Sequence, residues 1–366
     1  MGFYVLDRST VFVGSADNNL WYTPAPFGQI PNPKRRQVDG NIGEFRIPGA
    51  KTALVVGVDG NLWYTPAPFG QVPNPKRLQV DGSVFDFSAV DANNIFVLGR
   101  DLNLWFTPAP YGQVPNPKRL QVDGNIWTCW IMDAETVFVV GQDRNLWYTP
   151  APFGKVPNPK RLQVDGNVSG LWPIKSQFGP APNLISVFVL GTDSNLWYTP
   201  APFGQVPNPN RQQVDGHVAG FQVMSVTSVF VLGEDGNLWY TPGPFGKVPN
   251  PNRLQVDGHV AAYWAVDPET VFVLGTDGNL WFTPAPFGQV PNPKRQQVDG
   301  NVGQFWPLKT PKLMCVFVAG TDGNLWYTPA PFGQVPNPSR QQVAANVLVG
   351  AVGAFGGGDS IDRIGG

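Results

Sequence analysis

Three features of the sequence predict an all-β fold built from eight copies of one unit. A stretch that reads NLWYTPAPFGQVPNPKRLQVD at residues 61–81 recurs with small changes eight times in 366 residues. The chain also combines 42 Gly and 39 Pro with 13 Trp and 24 Phe, and turn formers beside large apolar residues are typical of many short strands. A near-constant period indicates one supersecondary unit stacked on copies of itself. The copies begin, in steps of 42, 42, 42, 50, 42, 42 and 45 residues, at Asn19, Asn61, Asn103, Asn145, Asn195, Asn237, Asn279 and Asn324.

Each unit reads as four strands, most clearly in residues 261–302. AYWAV forms strand a, TVFVLG strand b, NLWFT strand c and RQQV strand d, and the long segment PAPFGQVPNPK between strands c and d is the c–d loop. The Asp-Gly turn between strands b and c, flanked by β-branched and aromatic runs, is a strong hairpin signal. No window has the spacing of an amphipathic helix, and the density of Gly and Pro would interrupt one.

The four-strand unit predicts a β-propeller of eight four-stranded blades. Strand b is apolar at successive positions, which indicates that both of its faces are buried, and sheets packed on both faces by similar sheets form propellers. We expect residues 1–355 to form one propeller domain and the Gly-rich residues 356–366 to form a flexible tail, with Val347, Val349 and Val352 as a candidate closing strand. Seven blades with an irregular closure, or a solenoid with polar caps, are the alternatives.

Overall charge and the chain start exclude several classes of partner. A formal charge of −1 and a pI near 6.1 argue against nucleic acid, because such binders carry a basic surplus. No apolar run approaches the roughly 20 residues that cross a bilayer, so no membrane insertion is expected. The first residues lack the layout of a signal peptide, which favours a cytoplasmic location with non-classical release left open. Cys129 and Cys315 lie in apolar segments and are expected to be buried free thiols.

The strand order predicts opposite charges on the two sides of the blades. The b–c turns and d–a links should emerge on one side, and the a–b and c–d loops on the other. Aspartates would then gather on one side and arginines on the other, unless each Asp only serves its turn and each Arg lies along an aromatic ring. The link aspartates, in the d–a links, are Asp39, Asp81, Asp123, Asp165, Asp215, Asp257 and Asp299. The turn aspartates, in the b–c turns, are Asp17, Asp59, Asp101, Asp143, Asp193, Asp235, Asp277 and Asp322.

The c–d loop hardly changes between copies, whereas strand a diverges freely. Surface loops normally tolerate the most variation, so a uniform loop favours a ligand contact that is repeated in every copy. Aromatic rings stack on the C–H faces of sugars, and amide and guanidinium groups bind sugar hydroxyls. The candidate sugar-binding residues are Trp21, Trp63, Trp105, Trp147, Trp197, Trp239, Trp281, Trp326, Tyr64, Phe69, Asn74, Arg35, Arg77, Arg119, Arg161, Arg211, Arg253, Arg295 and Arg340.

A purely structural role for the same residues is the alternative: the Trp residues would be wedges between blades, and Pro-Asn-Pro would stiffen the loop. Catalysis has little support, because His217 and His259 replace the Asn of a d–a turn and no nucleophile–base pair, phosphate loop or metal-ligand cluster appears. No enzyme activity, cofactor or metal site is therefore predicted.

The repeated DGNLWYT hairpin, followed by an aromatic-rich loop at 42-residue spacing, resembles the propeller lectins of the tectonin and tachylectin-2 type. That resemblance implies clefts between adjacent blades that bind small neutral glycan epitopes, such as N-acetylglucosamine, fucose or O-methylated sugars. The c–d loop itself has no counterpart in those lectins, and eight blades exceed their usual number.

The sequence thus predicts a multivalent lectin whose partners are glycans or glycoconjugates. Individual sugar contacts are weak, but avidity over several clefts raises apparent affinity by roughly 10² to 10⁴ on a multivalent target. A protein-interaction or self-assembly scaffold is the alternative function, and the sequence leaves the oligomeric state open.

Overall fold

The computed structural model describes residues 2–175, 185–311, 313–348 and 360–361. These residues form eight antiparallel sheets, one for each repeat, in which four consecutive strands are neighbours; the sheet of repeat 4 has a fifth strand of two residues at its edge. This confirms the all-β propeller with eight blades, and no helix occurs in the described ranges. The chain divides into two compact units: Met1–Gln79 with Gln255–Phe355, and Val80–Leu254 with Gly356–Gly366. The expectation of one domain over residues 1–355 stays a prediction.

The strands follow the order a-b-c-d in every repeat. Strand a is β1 (Phe3–Asp7), β5 (Ile42–Gly49), β9 (Val84–Ala89), β13 (Ile126–Asp133), β17 (Val168–Lys175), β21 (Val218–Ser225), β25 (Val260–Asp267) and β29 (Val302–Thr310). Strand b is β2 (Thr10–Gly14), β6 (Thr52–Gly57), β10 (Asn94–Gly99), β14 (Thr136–Gly141), β18 (Ile185–Gly191), β22 (Ser228–Gly233), β26 (Thr270–Gly275) and β30 (Leu313–Gly320). Strand c is β3 (Leu20–Pro24), β7 (Leu62–Pro66), β11 (Leu104–Pro108), β15 (Leu146–Pro150), β19 (Leu196–Pro200), β23 (Leu238–Pro242), β27 (Leu280–Pro284) and β31 (Leu325–Pro329). Strand d is β4 (Arg36–Asp39), β8 (Leu78–Asp81), β12 (Leu120–Asp123), β16 (Leu162–Asp165), β20 (Gln212–Asp215), β24 (Leu254–Asp257), β28 (Gln296–Asp299) and β32 (Gln341–Ala344).

Strand b is the buried centre of each sheet. All residues of β2 and β6 are buried, as the continuous apolar run predicts. In the second unit, Phe138, Val140 and Leu146 of repeat 4 share a core cluster with Val187 and Val189 of repeat 5. Each repeat therefore needs its neighbour to bury its large side chains, which is the physical basis of a repeat fold.

The first and last repeats meet within the first unit. Ser15 and Val347 form an antiparallel bridge, and the N–H of Ala16 donates to the carbonyl of Asn346 at 2.8 Å. Phe3 lies in one core cluster with Cys315. Of the predicted closing strand, only Val347 is among the described residues, and it forms this bridge. Val349 and Val352 fall outside the described residues. So does the predicted tail, except for a two-residue strand, β33 (Ser360–Ile361), which pairs with Trp130 and Cys129 of β13.

The two cysteines are free and buried, as expected. Burial raises the pKa of the Cys315 thiol to about 11. Within the described residues, no helix is long and apolar enough to cross a membrane.

The c–d loops of repeats 1, 2, 4, 5, 6 and 8 fasten these repeats to the preceding ones, with repeat 8 preceding repeat 1. In repeat 2, the Phe69 ring packs edge-on against Phe12 of repeat 1, with 5.9 Å between ring centroids, and also contacts Tyr22. The N–H of Gly70 donates to the carbonyl of Gln37 in strand d of repeat 1 at 2.8 Å. Phe27, Phe153, Phe203, Phe245 and Phe332 make the same type of contact. These contacts give the loop sequence a structural reason to be uniform. From the sequence alone, the uniformity favoured ligand binding.

Replacing Phe69 with Ala should lower the free energy of unfolding by about 2–4 kcal/mol, because the half-buried ring packs against the preceding repeat and its loss leaves a cavity there. Urea unfolding measures the change. Val72→Ala in the same loop is the matched control, since Val72 is 38% exposed and its loss should cost under about 0.5 kcal/mol. Equal effects of the two substitutions would show that the loop does not fasten the repeats.

Candidate functional site

A guanidinium lies on the face of an indole in every repeat. The distance from the guanidinium carbon to the indole ring centroid is 3.8–4.1 Å, well inside the range of a cation–π contact, which stabilises by about 0.5–2 kcal/mol. The structure thus brings together the two predicted series of Trp and Arg. The pairs are Arg35 on Trp21, Arg77 on Trp63, Arg119 on Trp105, Arg161 on Trp147, Arg211 on Trp197, Arg253 on Trp239, Arg295 on Trp281 and Arg340 on Trp326.

Seven of these arginines also pair with the link aspartate that precedes their repeat. The predicted separation of Asp and Arg onto opposite sides is therefore wrong for the link aspartates. The c–d loop returns toward the link, so that the Arg just before strand d reaches the carboxylate. The ion pairs are Arg77–Asp39 (3.1 Å), Arg119–Asp81 (3.3 Å), Arg161–Asp123 (3.3 Å), Arg211–Asp165 (3.3 Å), Arg253–Asp215 (3.2 Å), Arg295–Asp257 (3.1 Å) and Arg340–Asp299 (3.3 Å).

The link carboxylate is buried and surrounded by donors. Asp39 is 2% exposed and accepts hydrogen bonds from the N–H of Gly40 at 2.9 Å and from the hydroxyl of Thr65 at 3.1 Å. Arg77 lies beside it. A buried carboxylate is tolerated only with such partners, so the group acts as a tie between consecutive repeats.

In four link aspartates the pKa is raised above the ordinary value, and in six turn aspartates it is lowered. Burial raises the pKa of Asp257, although the N–H of Gly258 and the Arg295 guanidinium act in the other direction. Asp81, Asp165 and Asp299 share this direction and its cause. Hydrogen bonds from Asn279 lower the pKa of Asp277, a turn aspartate at the surface.

The loop asparagine is a structural residue. Asn74 is 6% exposed, and its amide donates to the carbonyls of Pro66 at 2.8 Å and Pro68 at 3.2 Å. Its side-chain oxygen accepts from the N–H of Lys76 at 2.9 Å. The same bonds recur in the other loops. Asn74, a predicted sugar contact, thus already uses both the NH2 group and the oxygen of its amide within the loop.

Phe69 and Tyr64 also have places inside the framework. Phe69 packs into the preceding repeat as described above, and Tyr64 is half-buried opposite Leu54 in the pairing of β6 with β7. Neither position resembles the open ring surface that sugar stacking requires.

An open cleft lies beside the Trp and Arg of several repeats. In repeat 7 its volume is about 650 Å³, and its walls include Trp281, Val290, Pro291 and Arg295. Asp277 and His259 form its polar edge. Equivalent clefts in repeats 4, 5 and 6 have volumes of about 460, 410 and 350 Å³. Volumes of this size are typical of sites for small molecules.

The indole in this cleft still has an unused donor. Arg295 covers one face of Trp281. The indole N–H of Trp281 has no hydrogen-bond partner among the described residues and is not fully buried. The predicted Trp and Arg residues therefore line the clefts. Sequence reasoning missed the link aspartates, Val290 and His259 as neighbours, although the fixed spacing of 38 residues between Asp257 and Arg295 recurs in most copies and could have indicated the pair.

The two histidines occupy turn positions, as the sequence predicted. His217 and His259 have φ values of 55° and 54°, in the left-handed region that Asn occupies in five of the other links and Ser83 in one. In the ranges that the structure describes, no three His, Cys, Asp or Glu side chains are grouped so that they could hold a metal ion.

Eight antiparallel four-stranded sheets with repeated clefts define a tandem-repeat β-propeller. The profile of the Virginiamycin B lyase family matches residues 95–337, and the chain belongs to that family. No curated protein sequence matches the chain. The resemblance to tectonin and tachylectin-2 lectins is not confirmed by these comparisons.

Solved structures similar to this chain include other propellers. The C-terminal WD40 domain of Sif2 is 12% identical with a TM-score of 0.48, over 89% of this chain and 93% of that one. The WD40 propeller domain of Doa1 is 16% identical with a TM-score of 0.38, over 67% and 78% of the two chains. The N-terminal domain of Nup159 is 11% identical with a TM-score of 0.35, over 65% and 74%.

Replacing Asn74 with Ala should destabilise the fold by about 1–3 kcal/mol, because the carbonyls of Pro66 and Pro68 and the N–H of Lys76 lose the buried amide that binds them. Thermal or urea unfolding measures the loss. Lys76→Ala, at an exposed neighbouring position, is the control and should change little. A neutral Asn74 variant would mean that the loop amide serves a ligand and not the loop.

Carboxyl NMR titration should give a pKa above the ordinary value of 3.8 for Asp257 and a pKa below 3.8 for Asp277. For Asp277, the stability due to its hydrogen bonds is present above pH 3.8 and is lost as the pH falls through the lower folded-state pKa. For Asp257 the sign is reversed: the contribution is present below pH 3.8 and is lost as the pH rises through the raised folded-state pKa. Titration of both groups on the same side of 3.8 would contradict the described burial and hydrogen bonding.

Proposed function

We propose that the protein is a multivalent lectin that binds small neutral glycan epitopes in the clefts beside the Trp residues. The observation that carries the proposal is the recurrence of one open cleft, with the same kinds of residue, in repeats 4 to 7. The partners are glycans or glycoconjugates that present several copies of an epitope, because several weak sites gain affinity together.

The chemistry of the cleft favours a neutral ligand rich in hydroxyl groups. Trp281, Val290 and Pro291 supply an apolar wall, which suits the C–H surface of a pyranose ring. The charge of Arg295 is already balanced by Asp257, so it offers little to an anion. The Asp277 carboxylate accepts hydrogen bonds from sugar hydroxyls, and the Trp281 N–H donates to a hydroxyl or ring oxygen.

The proposal differs from the sequence prediction in which residues it uses. Phe69 and Asn74 leave the set of ligand contacts, because they hold the loop and the preceding repeat. The Trp residues combine both roles that the sequence left open. In repeats 4 to 7, one face of the indole carries the Arg of its repeat, and the indole also lines the cleft.

Glycan-array binding and calorimetric titration with N-acetylglucosamine and fucose test the proposal. Replacing Trp147, Trp197, Trp239 and Trp281 together with Phe keeps four aromatic rings but removes four N–H donors. Loss of one neutral hydrogen bond per cleft is worth about 0.5–1.5 kcal/mol, so affinity at these clefts should fall about 2–13-fold.

Trp172→Phe is the control, because Trp172 packs against Trp130 in strand a and lies outside these clefts. The melting temperature of each variant verifies folding. A folded protein that binds no neutral sugar on a broad array would overturn the proposal. If sedimentation then shows large assemblies that do not dissociate when sugar is added, the self-assembly scaffold would be favoured.

A lyase is the second candidate, and membership of the Virginiamycin B lyase family favours it. Incubation with virginiamycin B, followed by mass spectrometry, tests this activity. Against it, the acidic residues of the clefts repeat from copy to copy, whereas an enzyme on such a fold generally has one distinct set of catalytic residues. Conversion of virginiamycin B at enzymatic rates would replace the lectin by the lyase as the leading function.

A further inference from the structure

The link between the last and first repeats differs from the other links at its charged centre. Ala344 pairs with Leu325 in strand d of repeat 8, at the place where Asp299 pairs with Leu280 in repeat 7. The link aspartate is therefore missing from this one link. We call the site formed by Arg35, Trp21, Ala344 and Ala345 the seam cleft, and all of it lies in the first compact unit.

The arginine of the seam cleft remains in its usual place without its carboxylate. The Arg35 guanidinium lies 4.1 Å from the Trp21 ring centroid, within the range of the other repeats. The loop that carries it is also fastened normally, because the N–H of Gly28 donates to the carbonyl of Gln342 at 2.8 Å. Within the described residues Arg35 has no ion-pair partner, and unlike its seven counterparts it is exposed.

A second donor at the same point is unpaired. In the other links the N–H that follows the aspartate donates to its carboxylate, as Gly300 does to Asp299 at 2.9 Å. The corresponding N–H of Ala345 has no partner among the described residues. The Arg35 guanidinium and the Ala345 N–H, whose counterparts bind a carboxylate of the chain, thus lie at a position where the chain supplies a methyl group.

The seam cleft also lacks the neutral donor of the other clefts. Ser15 stands where the other repeats have Gly, and the Trp21 indole N–H donates to its hydroxyl at 3.1 Å. That hydroxyl in turn donates to Asp17. Asp17 is the counterpart of the turn aspartates that lie near the link carboxylates in other repeats, so its charge is one that this geometry already accommodates.

We propose that the seam cleft binds a carboxylate-bearing ligand, such as an acidic sugar, whose carboxylate takes the place of the missing link aspartate. Arg35 and the Ala345 N–H bind the two oxygens, and Trp21 supports the guanidinium. Charge-assisted bonds to a guanidinium held in position are stronger and more specific than neutral ones. This site is distinct from the neutral clefts, and it does not depend on their function.

Titration with glucuronate and with its neutral isostere glucuronamide tests the inference. The wild-type protein should bind one equivalent of glucuronate at least tenfold more tightly than glucuronamide, with an affinity that falls as salt is added. Ala344→Asp should abolish this preference, because it supplies the carboxylate that the other links contain. Asp299→Ala should create a second equivalent, because it frees Arg340 in the same way.

The two substitutions act in opposite directions, so a general loss of folding cannot imitate the result, and melting temperatures verify each variant. A glucuronate preference that survives Ala344→Asp, or its absence from the wild type, would overturn the inference. Glucuronate binding that depends on Ala344, without any binding of N-acetylglucosamine or fucose, would retain the seam cleft and reject the neutral lectin.

Discussion

Among the described residues, seven of the eight links between repeats contain one buried interaction on which the candidate clefts also depend: a link aspartate that pairs with an arginine stacked on a tryptophan. Asp257 is 3% exposed, and its partner Arg295 covers the face of Trp281. The aspartate belongs to the link from one repeat, and the other two side chains belong to the next. Because the ion pair is largely removed from water, separating its members would leave an uncompensated charge, which is far more costly than losing a surface pair. The same group forms the wall of the cleft, so stability and the candidate site share residues.

The c–d loop shows how a structural constraint can look like a functional one. Its phenylalanine packs against the core of the preceding repeat, and its asparagine amide donates to carbonyls of the loop. Its glycine N–H donates to a carbonyl in strand d of the preceding repeat. Each contact recurs because every repeat meets a similar neighbour. Uniformity in a repeat protein therefore reports the interface between repeats first, and ligand contact only where a side chain has donors or surface left over, as Trp281 has.

Much of the fold was predictable from the sequence, because it depends on local signals. The period, the Asp-Gly turns and the continuous apolar run of strand b determine the number of blades and their strand order. The partner of Arg77 was not predictable from strand topology alone, since the loop returns along the sheet and reaches Asp39 in the preceding repeat. Burial of Asn74 was missed for a related reason: a Pro-rich loop reads as exposed, although its carbonyls need a donor.

A double-mutant cycle on Asp257 and Arg295 tests the central interaction most directly. The free energy of unfolding is measured for the wild type, Asp257→Ala, Arg295→Ala and the double variant. If the pair ties the link at Asp257 to the c–d loop of repeat 7, the coupling energy should lie between about 1 and 3 kcal/mol. A coupling energy near zero, with additive single effects, would show that the carboxylate and the guanidinium stabilise the fold independently and would contradict this account.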